Sequence, residues 1–176
     1  MPPRLETPRL SLRSFCEQDI HAAYQIFETH PDVYQYDPGY RRSLEQRAEL
    51  IRKYAAENDE NGVGTLAVML RGSAQLIGYC GLQLYVLPRE PFATPEVELF
   101  YKLGRDYWSR GYAFEACETV LRYAFESLRL DHTVSCVDRR NERSIRLLER
   151  LGALIEPGPE AWAGIVVGTI QNPAKG

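Results

Sequence analysis

Residues 107–116 read Tyr-Trp-Ser-Arg-Gly-Tyr-Ala-Phe-Glu-Ala, and this stretch decides how the rest of the chain is assembled. Before it, residues 97–103 (Val-Glu-Leu-Phe-Tyr-Lys-Leu) have the apolar and aromatic character of a strand. After it, Ala113, Cys117, Val120, Ala124 and Leu128 fall on one helical face, with Glu115, Glu118, Arg122 and Glu126 on the other. A strand that passes through a short turn into a long helix leaves several N–H groups at the helix start without an acceptor, at the positive end of the macrodipole. Such an end suits a phosphate or diphosphate. Gly111, which has no Cβ, would let a ligand approach the backbone closely. The same residues also fit a plain tight turn, and a lone glycine does not decide between the two.

The flanking chain supplies more strands and helices. Alternating residues 9–15 read as a first strand, and Ile20, Ala23, Tyr24 and Phe27 mark a helix over 19–27 that Pro31 ends. Ser43 with Gln46 has the form of a capping box, followed by the stripe Leu44, Ala48, Ile51 and Ala55. Strands are expected over 65–71 and 75–85, with Gly78 and Gly81 marking a bulge or a close backbone approach. Residues 88–95 hold three prolines and read as a loop. A strand over 133–137, a helix over 142–151 stopped by Gly152, and a last strand over 163–170 complete the series. Strands precede helices early and late, with a meander between. The expected fold is α/β (α+β): a single mixed, mostly antiparallel central sheet with helices on both faces, forming one domain over 1–176 with its core in 9–171.

Composition bounds the function. The chain has 176 residues, 44% hydrophobic and 26% charged, the profile of a globular protein with a real core. Its net charge of −3 and scattered basic residues argue against a nucleic-acid partner. No apolar run reaches spanning length and no secretory signal opens the chain, so no membrane partner and a cytoplasmic location are expected. Cys16, Cys80, Cys117 and Cys136 have no paired spacing; the last three fall in apolar elements and read as reduced core residues. His21, His30 and His132 suggest neither a triad nor a metal site, and no metal is expected.

With the elements placed, four segments together resemble the GNAT superfamily of acetyl-CoA-dependent N-acetyltransferases, nearest its RimJ/RimL-like branch, the ribosomal-protein N-terminal acetyltransferases. They are Glu6-Thr7-Pro8-Arg9-Leu10-Ser11-Leu12-Arg13, Leu76-Ile77-Gly78-Tyr79-Cys80-Gly81-Leu82, residues 97–116, and residues 141–152, which begin Asn141-Glu142-Arg143-Ser144. The resemblance implies that the coenzyme A diphosphate sits on Ser109, Arg110, Gly111, Tyr112 and Ala113. It implies that the pantetheine arm pairs with the backbone of Tyr101, Lys102 and Leu103 and is hydrogen-bonded by Asn141. The family loop pattern begins with Gln or Arg where this chain has Trp108, while its two small residues are kept at Gly111 and Ala113. Tyr107 and Trp108 are then expected to anchor that loop to the core. The family's usual proton-donating Tyr, seven residues after the Asn, is replaced by Leu148.

Acetyl transfer needs a neutral amine, and amines with pKa near ~8 to ~10 are protonated at neutral pH. A carboxylate can take that proton. Glu98, in an otherwise apolar strand, is the candidate base, with Glu96 a weaker substitute; pairing with a basic neighbour or facing water is the competing reading of Glu98. Ser144, three residues after Asn141, is the nearest hydroxyl that could stand in for the missing acid and resembles the RimL-type arrangement, or else it is a helix-cap hydroxyl; Asn141 also fits a plain N-cap. Tyr34, Tyr36 and Tyr40 fall between the first two helices, where the resemblance implies an acceptor pocket that they would line; packing of the sheet edge is the competing reading. The expected activity is transfer of acetyl from acetyl-CoA to a primary amine, on a protein N-terminus or a small molecule. A catalytically silent acyl-CoA-binding module is the alternative, and a P-loop nucleotide enzyme is disfavoured because no Gly-Lys-Ser/Thr follows the strand. A homodimer contact would fall on residues 88–95 and the last strand.

Overall fold

The computed structural model describes residues 4–36, 41–60, 62–86, 95–160 and 163–175. Among them, one sheet is built from β1 (Leu5–Glu6), β2 (Leu10–Ser14), β3 (Thr65–Leu70), β4 (Gln75–Val86), β5 (Pro95–Leu103), β6 (His132–Asp138), β7 (Leu154–Pro157) and β8 (Ile165–Gln171). The helices are α1 (Asp19–Glu28), α2 (Leu44–Glu60), α3 (Tyr112–Glu126) and α4 (Glu142–Arg150), with a 3₁₀ turn at Pro31–Tyr34. The strand order is β1-β2-β3-β4-β5-β6-β8-β7, and every pairing is antiparallel except β5 with β6. No helix among the described residues is long and apolar enough to cross a membrane.

Local signals account for most of these elements. The capping box at the start of α2 closes reciprocally: Ser43 Oγ accepts from the Gln46 N–H at 3.2 Å, and Gln46 Oε1 accepts from the Ser43 N–H at 2.9 Å. Apolar faces then sort the helices. Phe27 and Ile51, from α1 and α2, pack on one side of the sheet; Cys117, Val120 and Ala124 from α3, with Leu148 from α4, pack on the other. The glycines of β4 mark both features expected of them. The β3–β4 register slips between Val68 and Met69, opposite Ile77. A Cβ on Gly78 would fall 2.3 Å from the Lys102 carbonyl oxygen, and one on Gly81 would fall 2.2 Å from that of Gly64.

Two strands escape the sequence pattern. β1 has two residues and β7 four, including Glu156 and Pro157, too short and too polar to show an alternation. β7 forms the sheet edge, which puts the chain's last strand inside the sheet between β6 and β7. The 88–95 loop lies outside the described residues, apart from the backbone of Pro95. All four cysteines are free; Cys80 and Cys117 are fully buried, with their sulfurs 3.8 Å apart.

Candidate active site

The site begins where two strands part. β5 and β6 share one registered pair, Glu98 with Val134, although both strands continue beyond it. Side chains replace the ladder there: Ser135 Oγ donates to the Leu99 carbonyl at 2.7 Å, and the Cys136 N–H donates to Glu98 Oε1 at 3.1 Å. Strand alternation assigns the two faces. Leu99, Tyr101 and Leu103 pack toward α3 and α4, whereas Lys102 on the opposite face places its ammonium 4.5 Å from the Tyr34 ring.

Glu98 shares the Lys102 face and is 7% exposed. Its Oε2 accepts from Gln83 Nε2 at 2.5 Å, and both hydrogen-bonding partners, Gln83 and Cys136, are neutral. Among the described residues no cation pairs with it, so it is neither salt-bridged nor exposed. Burial raises its pKa above the ordinary carboxylate range, and the bonds from Gln83 and Cys136 only partly oppose this. The Cys136 thiol is itself pushed up to about 12, by burial first and then by the neighbouring Glu98 charge. Glu96 is engaged elsewhere, with Oε2 2.7 Å from His132 Nε2. His132 therefore has a companion that the sequence did not suggest, but the two form a pair and not a triad.

On the other face, α3 starts with an uncapped end. Gly111 adopts φ +79° and ψ 0°, a left-handed conformation that favours glycine, and Ser109 before it has φ +59°. No side chain caps the helix, and helical bonding begins with the Glu115 N–H to the Gly111 carbonyl at 3.1 Å. The amides of Tyr112, Ala113 and Phe114 thus have no helical acceptor. A left-handed residue followed by helical ones forms an anion-accepting concavity. By contrast α4 is capped: Asn141 Oδ1 accepts from the Ser144 N–H at 3.3 Å. Ser144 is therefore the capped residue and not the cap.

The N-terminal turn grips this loop in a way that the sequence did not reveal. Glu115, expected on the solvent face, has a side chain only 14% exposed. Its Oε1 accepts from the Thr7 hydroxyl at 2.5 Å and from the Arg9 N–H at 2.9 Å, and its Oε2 accepts from Arg9 Nε at 2.6 Å. Burial works to raise the Glu115 pKa, but these three bonds outweigh it and lower it. Arg9 also donates to the Arg110 carbonyl at 2.9 Å and lies 4.7 Å from the Tyr112 ring centre. Trp108 anchors the loop from the other side, its indole N–H donating to the Leu103 carbonyl at 2.8 Å. The guanidiniums of Arg105 and Arg143 flank that ring at 4.9 and 5.2 Å.

The ladder also decides which strand groups face the opening. The Gly104 N–H bonds the Ile77 carbonyl, so by antiparallel alternation Leu99, Tyr101 and Leu103 turn their backbone groups away from β4. The Leu99 and Leu103 carbonyls are taken by Ser135 and Trp108. Tyr101 keeps both its N–H and its carbonyl toward the gap.

Of the three tyrosines between α1 and α2, Tyr34 is 9% exposed and belongs to a buried network. Its hydroxyl donates to Glu28 Oε1 at 2.8 Å and accepts from Arg47 at 2.7 Å, and Arg47 is also ion-paired with Glu28. The Arg42 N–H donates to the other Glu28 oxygen at 2.8 Å. Tyr36 is half-buried, and Tyr40 lies outside the described residues. A charged residue within the apolar stripe, Arg47 between Leu44 and Ile51, was the available signal for this network. Among the described residues no cluster of three or more His, Cys, Asp or Glu could hold a metal.

Residues 9–154 match the family model described as the acetyltransferase (GNAT) domain. This chain belongs to the GNAT acetyltransferase family. It is an N-acetyltransferase, of the RimJ/RimL-like branch. The uncharacterized N-acetyltransferase YoaA of Bacillus subtilis (strain 168) is 30% identical over 150 residues, covering 85% of this chain and 82% of YoaA. An acetyltransferase from Agrobacterium tumefaciens str. C58 superposes with a TM-score of 0.80 at 27% identity, covering 97% of this chain and 95% of its own. The ribosomal-protein-S5-alanine acetyltransferase of Vibrio fischeri shares the fold, with a TM-score of 0.77 at 17% identity over 99% of both chains. GNAT enzymes use acetyl-CoA.

Proposed function

We propose that this chain, acting as one cytoplasmic domain, transfers acetyl from acetyl-CoA to a primary amine by direct attack, with no covalent enzyme intermediate and no metal. The acceptor amine is that of a protein N-terminus or of a small molecule. Glu98 takes the ammonium proton, directly or through water, and releases the lone pair that attacks the thioester carbonyl. A strand N–H at the parted β5–β6 edge donates to the developing oxyanion. The amides of Ser109, Arg110, Gly111, Tyr112 and Ala113 hold the diphosphate. The backbone of Tyr101, Lys102 and Leu103, chiefly that of Tyr101, takes the pantetheine arm as an added strand. Asn141 reaches the same arm with its Nδ2, which makes no hydrogen bond among the described residues, and Ser144 stands beside it.

One observation carries the reading: a buried carboxylate, held by neutral partners alone, stands where β5 and β6 part, with the uncapped start of α3 on the far side of the sheet. Such a group holds its proton more tightly than a solvated carboxylate and suits a base working near neutrality. The test pairs calorimetry of acetyl-CoA binding with coenzyme thiol release across a panel of peptide and small-molecule amines. Binding, with turnover that falls about 10²- to 10⁴-fold in Glu98→Gln, is the expected result. No binding overturns the coenzyme site; binding without turnover on a broad panel favours an acyl-CoA-binding module.

A further inference from the structure

Three buried side-chain hydroxyls find no hydrogen-bond partner among the described residues: those of Ser14, Tyr101 and Thr133. Only Tyr101 stands on the half of β5 that has parted from β6. A buried O–H without an acceptor is unfavourable and needs an explanation, of which a ligand still to arrive is one. The rest of Tyr101 is well accommodated. Its ring joins the core beneath α3 and α4, its Cα pairs across the strand with Cys80, and the Ser144 hydroxyl adjoins its own without closing a hydrogen bond. Burial, the largest influence, raises its pKa, so it keeps its proton throughout the neutral range.

Alternation adds the direction. Glu98 lies on the α1–α2 face and Tyr101 on the α3–α4 face, on opposite sides of the strand edge where the thioester would lie. A base for the incoming amine and a donor for the outgoing sulfur belong on opposite sides of the carbonyl carbon. Leu148, which occupies the place of the family's usual acid, is fully buried and has no proton to give.

We propose that the Tyr101 hydroxyl, unpartnered in the free protein, donates a hydrogen bond to the coenzyme sulfur as the carbon–sulfur bond breaks. This rests on the coenzyme reading above. As the tetrahedral adduct collapses, its nitrogen gives its remaining excess proton to water, the oxyanion re-forms the carbonyl, and the C–S electron pair passes to sulfur. The Tyr101 O–H stabilises that charge without surrendering its proton, as its raised pKa requires. The thiolate takes a proton from water on release.

The test is Tyr101→Phe, which removes one oxygen and no packing. Two readouts are expected to move in opposite senses. Urea unfolding should show the variant at least as stable as wild type, because an unpaired buried hydroxyl is gone. Acetyl transfer should fall roughly 10- to 100-fold, the loss expected for one hydrogen bond to a charged group. A second measurement needs no acceptor: the pKa of the thiol of bound coenzyme A, followed by thiolate ultraviolet absorbance, should rise by about one unit or more in Tyr101→Phe. Unchanged turnover with an unshifted thiol pKa overturns the assignment. So does a loss confined to Ser144→Ala, which would make the serine the donor. Calorimetry of wild type with coenzyme A separates the two levels: absent binding refutes the coenzyme site, whereas binding with an indifferent Tyr101→Phe refutes only the tyrosine.

Discussion

Replacing Arg9 by Gln should weaken acetyl-CoA binding while hardly touching stability or the chemical step. The Arg9 side chain is 48% exposed, so its ion pair with Glu115 is screened and contributes at most about 0.5 kcal/mol to folding. The bonds from the Thr7 hydroxyl and the residue-9 amide to Glu115 survive the substitution. What changes is the charge at the mouth of the loop. Glu115 lies in the first turn of α3, and without Arg9 its carboxylate stands uncompensated beside the amides expected to hold a diphosphate. A charge at a helix terminus is worth roughly 0.3–1 kcal/mol, and up to about 2 when partly buried. Repulsion of the arriving diphosphate acts in the same direction as the lost Arg9 charge, so the KM for acetyl-CoA should rise roughly tenfold, equivalent to about 1.4 kcal/mol. The turnover number should stay within about twofold, because Glu98 and its partners are untouched, and the defect should shrink in high salt. Steady-state thiol release at varied acetyl-CoA, with urea unfolding in parallel, reads all of this. Removing the stranded carboxylate as well, in Arg9→Gln/Glu115→Gln, should recover part of the affinity. A turnover number that drops while KM holds, or a double variant worse than the sum of the singles, would refute the electrostatic reasoning.

Glu98→Gln should abolish the acidic limb of the pH–activity profile, which in wild type is set by a carboxyl titrating above its ordinary range. The same shift fixes a sign for stability. A folded-state pKa raised above the unfolded value of about 4.3 contributes stability below that value, and the contribution is lost as pH rises through the raised one. The variant should therefore gain on wild type in urea midpoint between mildly acidic and neutral pH. Glu28→Ala should cost about 3–5 kcal/mol in chemical unfolding, because Arg47 would be left buried without its counter-charge. Gly78→Ala should lose about 2 kcal/mol or more and raise the KM for acetyl-CoA, since its Cβ would press on the Lys102 carbonyl beside Tyr101; a melting temperature within a degree of wild type would contradict this.

The sequence disclosed what is periodic or punctuated and concealed what is assembled from afar. The capping box at Ser43, the start of α3 at Gly111 and the tight approach at Gly78 are local events, written in a few adjacent residues. β7 was hidden because four residues with Glu and Pro carry no alternation, and its place at the edge is set by β8. The candidate base was visible as a charge in an apolar strand, but its partners Gln83 and Cys136 sit on different strands and only the sheet register joins them. The hold of Thr7 and Arg9 on Glu115 spans more than a hundred residues of chain, so helical periodicity alone put that glutamate in solvent.

The alternation of β5 has a consequence for how such a protein diversifies. Even-numbered positions from 96 to 102 look toward α1 and α2, odd-numbered ones from 97 to 103 toward α3 and α4, and the backbone between them is common to both. Under the proposed mechanism, parity along one strand divides recognition of the nucleophile from custody of the acyl carrier. A lineage under pressure to modify a new target can drift at one parity while the other stays fixed, and the machinery survives the change of client.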